Sequence, residues 1–290
     1  MFENITQTVD NLLVSLLYLV LGFALFYIGK IVFQLVNKGI DVNNELVEKD
    51  NLAFALTNVG YYIGLLLAIG AAMSNEHFGT HIWQNLLDVA IMGGLAIILL
   101  NISAIINDKL ILRKFSTRKE IIEDQNSGTG IIEAANYIAT GLILNGVLTE
   151  NSDAYYEVII LFFIAQIAMI LVSLVYNAIT PYDVHEHIEK DNVAVGIGFA
   201  GAMIAIANLI AYGVSMESNT WIEVGEILIL ETGIGLLILP VVRFVTDKIL
   251  LPGQNLTDEI VNQEKPNIGA AIIEAFAYIG GSALIIWSFS

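Results

Sequence analysis

Eight uninterrupted apolar blocks constrain this chain more than any other feature. They run about Leu12–Val36, Leu52–Met73, Leu86–Ile106, Gly128–Leu148, Tyr156–Ile179, Val193–Ser215, Ile222–Val245 and Ile268–Phe289. A helix of about 20 apolar residues crosses the hydrocarbon core of a bilayer. The blocks take up most of the 290 residues, and no intervening polar stretch is long enough to fold as a catalytic domain. The expected fold is therefore an all-α integral membrane protein with eight transmembrane helices and the lipid bilayer as its main partner.

Charge supports the same class. Only 14% of the residues are charged, against about 25% in soluble domains. The net charge of −17 argues against nucleic acid or anionic headgroups as partners. Cysteine is absent, which removes disulfides, iron–sulfur clusters and thiol chemistry. The opening "MFENITQTVDN" has no basic region and no cleavage site follows the first block, so no cleaved signal peptide is expected.

The twelve basic residues set the expected orientation. Lys30, Lys38, Lys49, Lys109, Arg113, Lys114, Arg118, Lys119, Lys190, Arg243, Lys248 and Lys265 all lie in or near the connections between blocks 1–2, 3–4, 5–6 and 7–8. Basic residues mark the cytoplasmic side. Both termini are then expected outside. Lys30 and Arg243, close to the cytoplasmic ends, are expected to snorkel.

Self-comparison resolves the organisation. Four segments align: "EKDNLAFA" from Glu48, "EDQNSGTG" from Glu123, "EKDNVAVG" from Glu189 and "EKPNIGAA" from Glu264. The aligned asparagines are Asn51, Asn126, Asn192 and Asn267; the first and third are 141 positions apart, as are the second and fourth. The chain reads as two homologous four-helix halves, 1–150 and 151–290. Each half is a helix pair written twice, with units of about 1–75, 76–150, 151–217 and 218–290. All four pairs enter in the same sense, as parallel repeats. Such a chain is a fused pseudo-oligomer, and its halves are expected to self-associate if separated.

Each asparagine precedes an apolar helix and is expected to cap it. The small residues two and four positions later permit close helix packing. "TRKE" at Thr117 and "TPYD" at Thr180 resemble capping boxes, so short cytoplasmic helices are expected before some second helices. Paired membrane helices whose second member opens with Glu-x-x-Asn-x-Ala/Gly-x-Ala/Gly resemble the bacterial family catalogued as domain of unknown function 350. The resemblance covers nearly the whole chain as tandem copies. It implies a bacterial inner-membrane protein and brings no activity or catalytic residue with it.

The polar residues inside the blocks are the candidates for function. Seven residues after each asparagine stand Asn58, Glu133, Phe199 and Glu274; four further on stand Tyr62, Tyr137, Met203 and Tyr278. Residues four apart share a helix face, so the second and fourth units pair Glu133 with Tyr137 and Glu274 with Tyr278. Seven residues is about 10 Å of helix, well inside the core. Glu231, in the seventh block, is a third carboxylate without a repeat counterpart. A charge at such depth costs roughly 2.5 kcal/mol or more. Two readings stand open: a proton or cation site lined by Glu133, Glu274 and Glu231, or protonated glutamates that only bridge helices.

Asn101, Asn145, Gln166 and Asn208 read as hydrogen bonds between helices. Pro240 is expected to kink the seventh helix. His77 and His81 have i,i+4 spacing and His185 and His187 do not share a face; neither pair is taken as a metal site, and no cofactor is expected. The signatures HExxH, Gly-x-Ser-x-Gly and the P-loop are absent, so no enzyme activity is expected. Two functions remain: proton- or cation-linked permeation through the buried glutamates, or a membrane scaffold or stress-response subunit whose cytoplasmic loops recruit soluble partners.

Overall fold

The computed structural model describes residues 2–74, 81–150, 155–216, 220–251 and 253–289. Among them it contains ten α-helices and no strand: α1 (Phe2–Val36), α2 (Leu52–Ser74), α3 (Ile82–Ile106), α4 (Thr117–Ile122), α5 (Ser127–Glu150), α6 (Tyr155–Ile179), α7 (Val184–Glu189), α8 (Val193–Ser215), α9 (Trp221–Val245) and α10 (Ile268–Phe289). Eight are long and apolar enough to cross a membrane, in agreement with the hydropathy pattern. Five-residue π-helical turns, Asn107–Ile111 and Thr246–Leu250, continue α3 and α9. Helix α9 runs through Pro240 to Val245 without a break.

Lipid gives helices no hydrophobic reason to associate, so close van der Waals contact decides the packing. The second helices of the four units, α2, α5, α8 and α10, stand in a row and pack most closely. The first helices form an outer layer: α1 lies on α2 and α3, α3 on α5 and α6, α6 on α8 and α9, and α9 on α10. Helices α5 and α8 accordingly bury most of their length and α1 buries little.

One interface recurs along the row. Positions are counted here from each aligned asparagine. Between α2 and α5, a Cβ on Gly60 (+9) would come within 2.3 Å of the Ala134 Cα (+8), and one on Gly130 (+4) within 2.7 Å of the Ala53 Cα (+2). Between α5 and α8, Gly196 (+4) meets the Gly128 Cα (+2) at 2.8 Å; between α8 and α10, Gly201 (+9) meets the Ala275 Cα (+8) at 2.4 Å. The same forward face meets the same backward face three times, which is a head-to-tail arrangement that does not close. Its ends are bulky. Phe276 stands at +9 of α10 and Val59 at +8 of α2, 67% and 54% exposed. Atypical end repeats of this kind terminate an array.

The asparagines work at both levels of this order. Their Oδ1 atoms accept from the backbone N–H groups of Phe54, Thr129, Val195 and Ala270 at 3.0, 3.0, 3.1 and 3.1 Å. Three of them also bolt one unit to the next. Asn51 Nδ2 donates to Ile121 O at 2.9 Å, Asn126 Nδ2 to Ile188 O at 2.7 Å and Asn192 Nδ2 to Ile260 O at 3.0 Å. Asn51 and Asn126 donate as well to Glu45 and Glu120 of their own lead-in turns. Asn267, at the end of the row, is exposed and donates to Glu259 of its own unit at 2.7 Å.

Asp50, Gln125 and Asp191, directly before the first three asparagines, have φ of 50°, 53° and 60°. Pro266 holds that place in the fourth unit. Its ring forbids positive φ, and the lead-in there is correspondingly different.

Short helices precede α5 and α8 as expected, but other residues cap them. Ser116 caps α4 and Asp183 caps α7, each through its side-chain oxygen. Thr117 and Thr180 do not, because the neighbouring Ser and Asp fall at the position where the backbone is still extended.

Candidate functional site

Glu133 is placed by α5, next to Ala134, which packs on Gly60 of α2. It is buried, with 5% exposure, and its Oε2 accepts a hydrogen bond from Asn107 Nδ2. Asn107 is the first residue of the π-helical turn after α3. Beside them lies a cavity of about 320 Å³, lined by Phe33, Phe54, Thr57, Ala104, Asp108, Glu133 and Tyr137. Exposed residues Val36, Ile105, Lys109 and Arg118 bound its mouth on the side of α4. No basic residue pairs with Glu133 among the described residues, and Arg118 is turned to Lys38 O at 3.0 Å.

Tyr137 shares the face with Glu133, but its ring is used for packing: it lies edge-on to Tyr61 at 5.1 Å and to Phe33 at 6.3 Å. Tyr61 in turn donates to Gly29 O at 2.8 Å and accepts from Asn101 at 3.2 Å. Asn58 is buried, and its Oδ1 has no hydrogen-bond partner among the described residues.

Glu274 is placed at the same depth by α10 but is differently surrounded. Its exposure is zero. Its Oε1 accepts from Arg243 Nη1 at 2.8 Å and from Tyr278 Oη at 3.1 Å. Arg243 Nη2 donates to Thr257 Oγ1 at 2.9 Å, and the guanidinium carbon lies 5.7 Å from the centre of the Tyr182 ring, within cation–π range. Gly198 of α8 makes room: a Cβ there would stand 2.6 Å from Glu274 Oε2. The expectation that Arg243 snorkels is corrected. A buried carboxylate within reach makes a stronger partner than the interface, and Arg243 turns inward to it. Lys30 has no such partner among the described residues and is exposed.

The two halves can be registered at this point. Helices α3 and α9 have 25 residues each, and both continue into a five-residue π turn. The second residue of each turn caps a segment nine residues on. Asp108 Oδ1 accepts from Thr117 N at 3.1 Å, and Asp247 Oδ1 from Leu256 N at 2.7 Å. This register sets Asn107 against Thr246 and Ala104 against Arg243. The position that carries the guanidinium in the second half carries a methyl group in the first, and it lines the cavity.

The three carboxylates do not form one site, contrary to the expectation. Each glutamate of the repeat is enclosed by its own half, because the second helices stand in an open row and do not surround a common axis. Glu231 is farther still. It lies twelve residues before Arg243 on α9, roughly 18 Å along the axis at 1.5 Å per residue. It is 4% exposed and packs on Gly213, where a Cβ would come 2.9 Å from its Cγ.

Asn107, Arg243, Tyr182 and Gly198 were not among the sequence candidates. The only signal available for Arg243 was that a basic residue in the seventh block has no basic counterpart in the third.

Four interhelical hydrogen bonds read from the sequence are present. Asn101 reaches Tyr61, Asn145 reaches Leu67 O at 3.3 Å, Gln166 reaches Thr140 at 3.5 Å and Asn208 reaches Ser282 at 3.3 Å. His77 lies outside the described residues. His185 is buried on α7 with Nε2 2.7 Å from Ile111 O. Among the described residues no group of three or more His, Cys, Asp or Glu is arranged to hold a metal.

Comparison with known proteins agrees with this two-fold organisation. A curated relative, a UPF0719 transmembrane protein of Aquifex aeolicus (strain VF5), is 20% identical over 196 residues, covering 66% of this chain and 69% of that protein. No solved structure matches. The family model described as Domain of Unknown Function (DUF350) matches residues 7–148 and again residues 151–289. The chain is a member of that family and carries its domain as two tandem copies.

Proposed function

We propose that this is a bacterial inner-membrane protein for proton- or cation-linked permeation, in which the first half works through Glu133 and the second half is a closed structural copy. The single supporting observation is the difference between the two glutamates. Glu133 borders a cavity with exposed residues at its mouth, whereas Glu274 is sealed by Arg243, Tyr278 and Gly198. Intramembrane carboxylates on a water-filled cavity are the usual elements of ion and proton pathways. Both termini lie outside in this reading, so the cavity faces the cytoplasm, where the basic loops are. The chemistry is binding and passage, not catalysis.

The test is flux into liposomes containing the purified full chain, measured for protons and for monovalent cations. Wild type and Glu274→Gln, compared per folded molecule, are expected to conduct alike, and Glu133→Gln to fall to the protein-free background. Equal flux in wild type and Glu133→Gln would overturn the proposal. Flux absent from all three would overturn it in favour of the scaffold reading.

A further inference from the structure

The fourth unit shows what its counterpart in the second unit lacks. Glu274 has a planar cation against it, held from three sides: by the carboxylate, by Thr257 Oγ1 at 2.9 Å and by the Tyr182 ring at 5.7 Å. Around the pair, Tyr176 stands edge-on to Tyr278 at 6.4 Å and packs on Phe199 at 5.2 Å. In the first half Glu133 stands in the place of Glu274 and Tyr137 in that of Tyr278, again beside aromatic rings: Phe33 stands edge-on to Tyr137 at 6.3 Å and lies 6.5 Å from Phe54, although the counterpart of Phe199 is Asn58 and not Phe54. The cation differs as well. Arg243 is replaced by Ala104, and the space opposite Glu133 is a cavity of about 320 Å³.

We propose that this cavity is a binding site for a guanidinium head group, free or at the end of a short aliphatic chain, which pairs with Glu133 where Arg243 pairs with Glu274. The proposal rests on the reading of Glu133 as the accessible carboxylate and adds the class of ligand. Three properties of the site fit that class. Glu133 is held at Oε2 by Asn107, an amide that brings no charge and leaves the carboxylate without a counter-ion among the described residues. A guanidinium is the more weakly hydrated kind of cation and stacks on aromatic faces, and Phe33, Phe54 and Tyr137 line the walls. The basic groups at the mouth do not take the place. Arg118 is tied to Lys38 O, and Lys109 is exposed.

The experiment is calorimetric titration of the full chain in nanodiscs with millimolar guanidinium, methylguanidinium, tetramethylammonium and sodium chlorides. Saturable binding of the two guanidinium ions is expected, with tetramethylammonium and sodium at least tenfold weaker. Glu133→Gln should weaken guanidinium binding about 30-fold or more, the effect of removing one partner of a desolvated charge pair. Ala104→Leu should block the site by volume alone. Ala104→Arg should block it and also raise the thermal midpoint, because it supplies the missing pair. Absence of saturable guanidinium binding overturns the proposal. So does binding that is unchanged in Glu133→Gln or Ala104→Arg, or that is matched by tetramethylammonium. Proton or sodium flux that depends on Glu133 without guanidinium binding would sink the ligand class and leave permeation standing. Guanidinium binding at Glu133 without any flux would do the reverse.

Discussion

Replacing Arg243 tests the closed half most severely. Glu274 has zero exposure and two donors, Arg243 and Tyr278. Arg243→Met keeps the aliphatic bulk and removes the charge and both of its hydrogen bonds, to Glu274 and Thr257. Removing one partner of a buried pair costs about 3–5 kcal/mol, because the other charge is left uncompensated, while replacing both by apolar groups is often neutral. Arg243→Met should therefore cost about 3–5 kcal/mol, and Arg243→Met with Glu274→Leu much less than the sum of the two single changes. The coupling energy in that cycle should be about 2 kcal/mol or more. Gly198→Ala adds an internal check. Its Cβ would stand 2.6 Å from Glu274 Oε2, so it should destabilise the wild type and be tolerated beside Glu274→Ala. Unfolding in mixed detergent micelles, followed by the fluorescence of Trp83, Trp221 and Trp287, measures all of these. Additive single changes, or an Arg243→Met variant within about 1 kcal/mol of wild type, would show that the pair is not what closes this half.

Other consequences follow from the row of second helices. A Cβ at Gly64 would meet Tyr137 O at 2.3 Å, whereas one at Gly70 meets nothing within 4 Å. Gly64→Ala should then cost about 1–3 kcal/mol by overpacking, and Gly70→Ala should gain up to about 1 kcal/mol in helix propensity, both read from unfolding midpoints. Asn126→Ala loses a cap and two donors, one of them to the next unit. It should cost about 2–4 kcal/mol, against about 1 kcal/mol for the exposed Asn267→Ala, measured in the same way. A fragment of residues 1–150 would bare the face of α5 that meets α8, with Gly128 and Gly146 at its contacts. It should self-associate in detergent at micromolar concentration, as light scattering or sedimentation would show; a stable monomer would contradict the head-to-tail interface.

The spans were legible because a bilayer accepts little besides long apolar helices. The capping asparagines were legible because a cap depends on residues three positions apart in one segment. The bonds from Asn51, Asn126 and Asn192 to the next unit were not, since their acceptors are backbone carbonyls about 60–70 residues away and carbonyls carry no sequence mark. The Arg243–Glu274 pair was hidden by a difference in spacing. The asparagines repeat at 141 positions, but α3 and α9 register at 139, so a fixed offset sets Arg243 against Ile102 and not against Ala104. The end of the row had a readable sign: position +9 is Gly60, Ala135 and Gly201 in three units and Phe276 in the fourth. That one unit is open at its glutamate and another closed depends on packing between four helices, which no local pattern records.

The central claim is that water and small ions reach Glu133 and do not reach Glu274. The chain has no cysteine, so single introduced cysteines report accessibility without background. Ala104→Cys lines the cavity at Glu133, and Thr246→Cys replaces a fully buried residue in the second half, the counterpart of Asn107. Modification by a small cationic thiol reagent should be rapid at Cys in place of Ala104, slowed by guanidinium, and undetectable in place of Thr246 until the protein is unfolded. Equal reactivity at the two positions, or no reactivity at the first, would contradict the account.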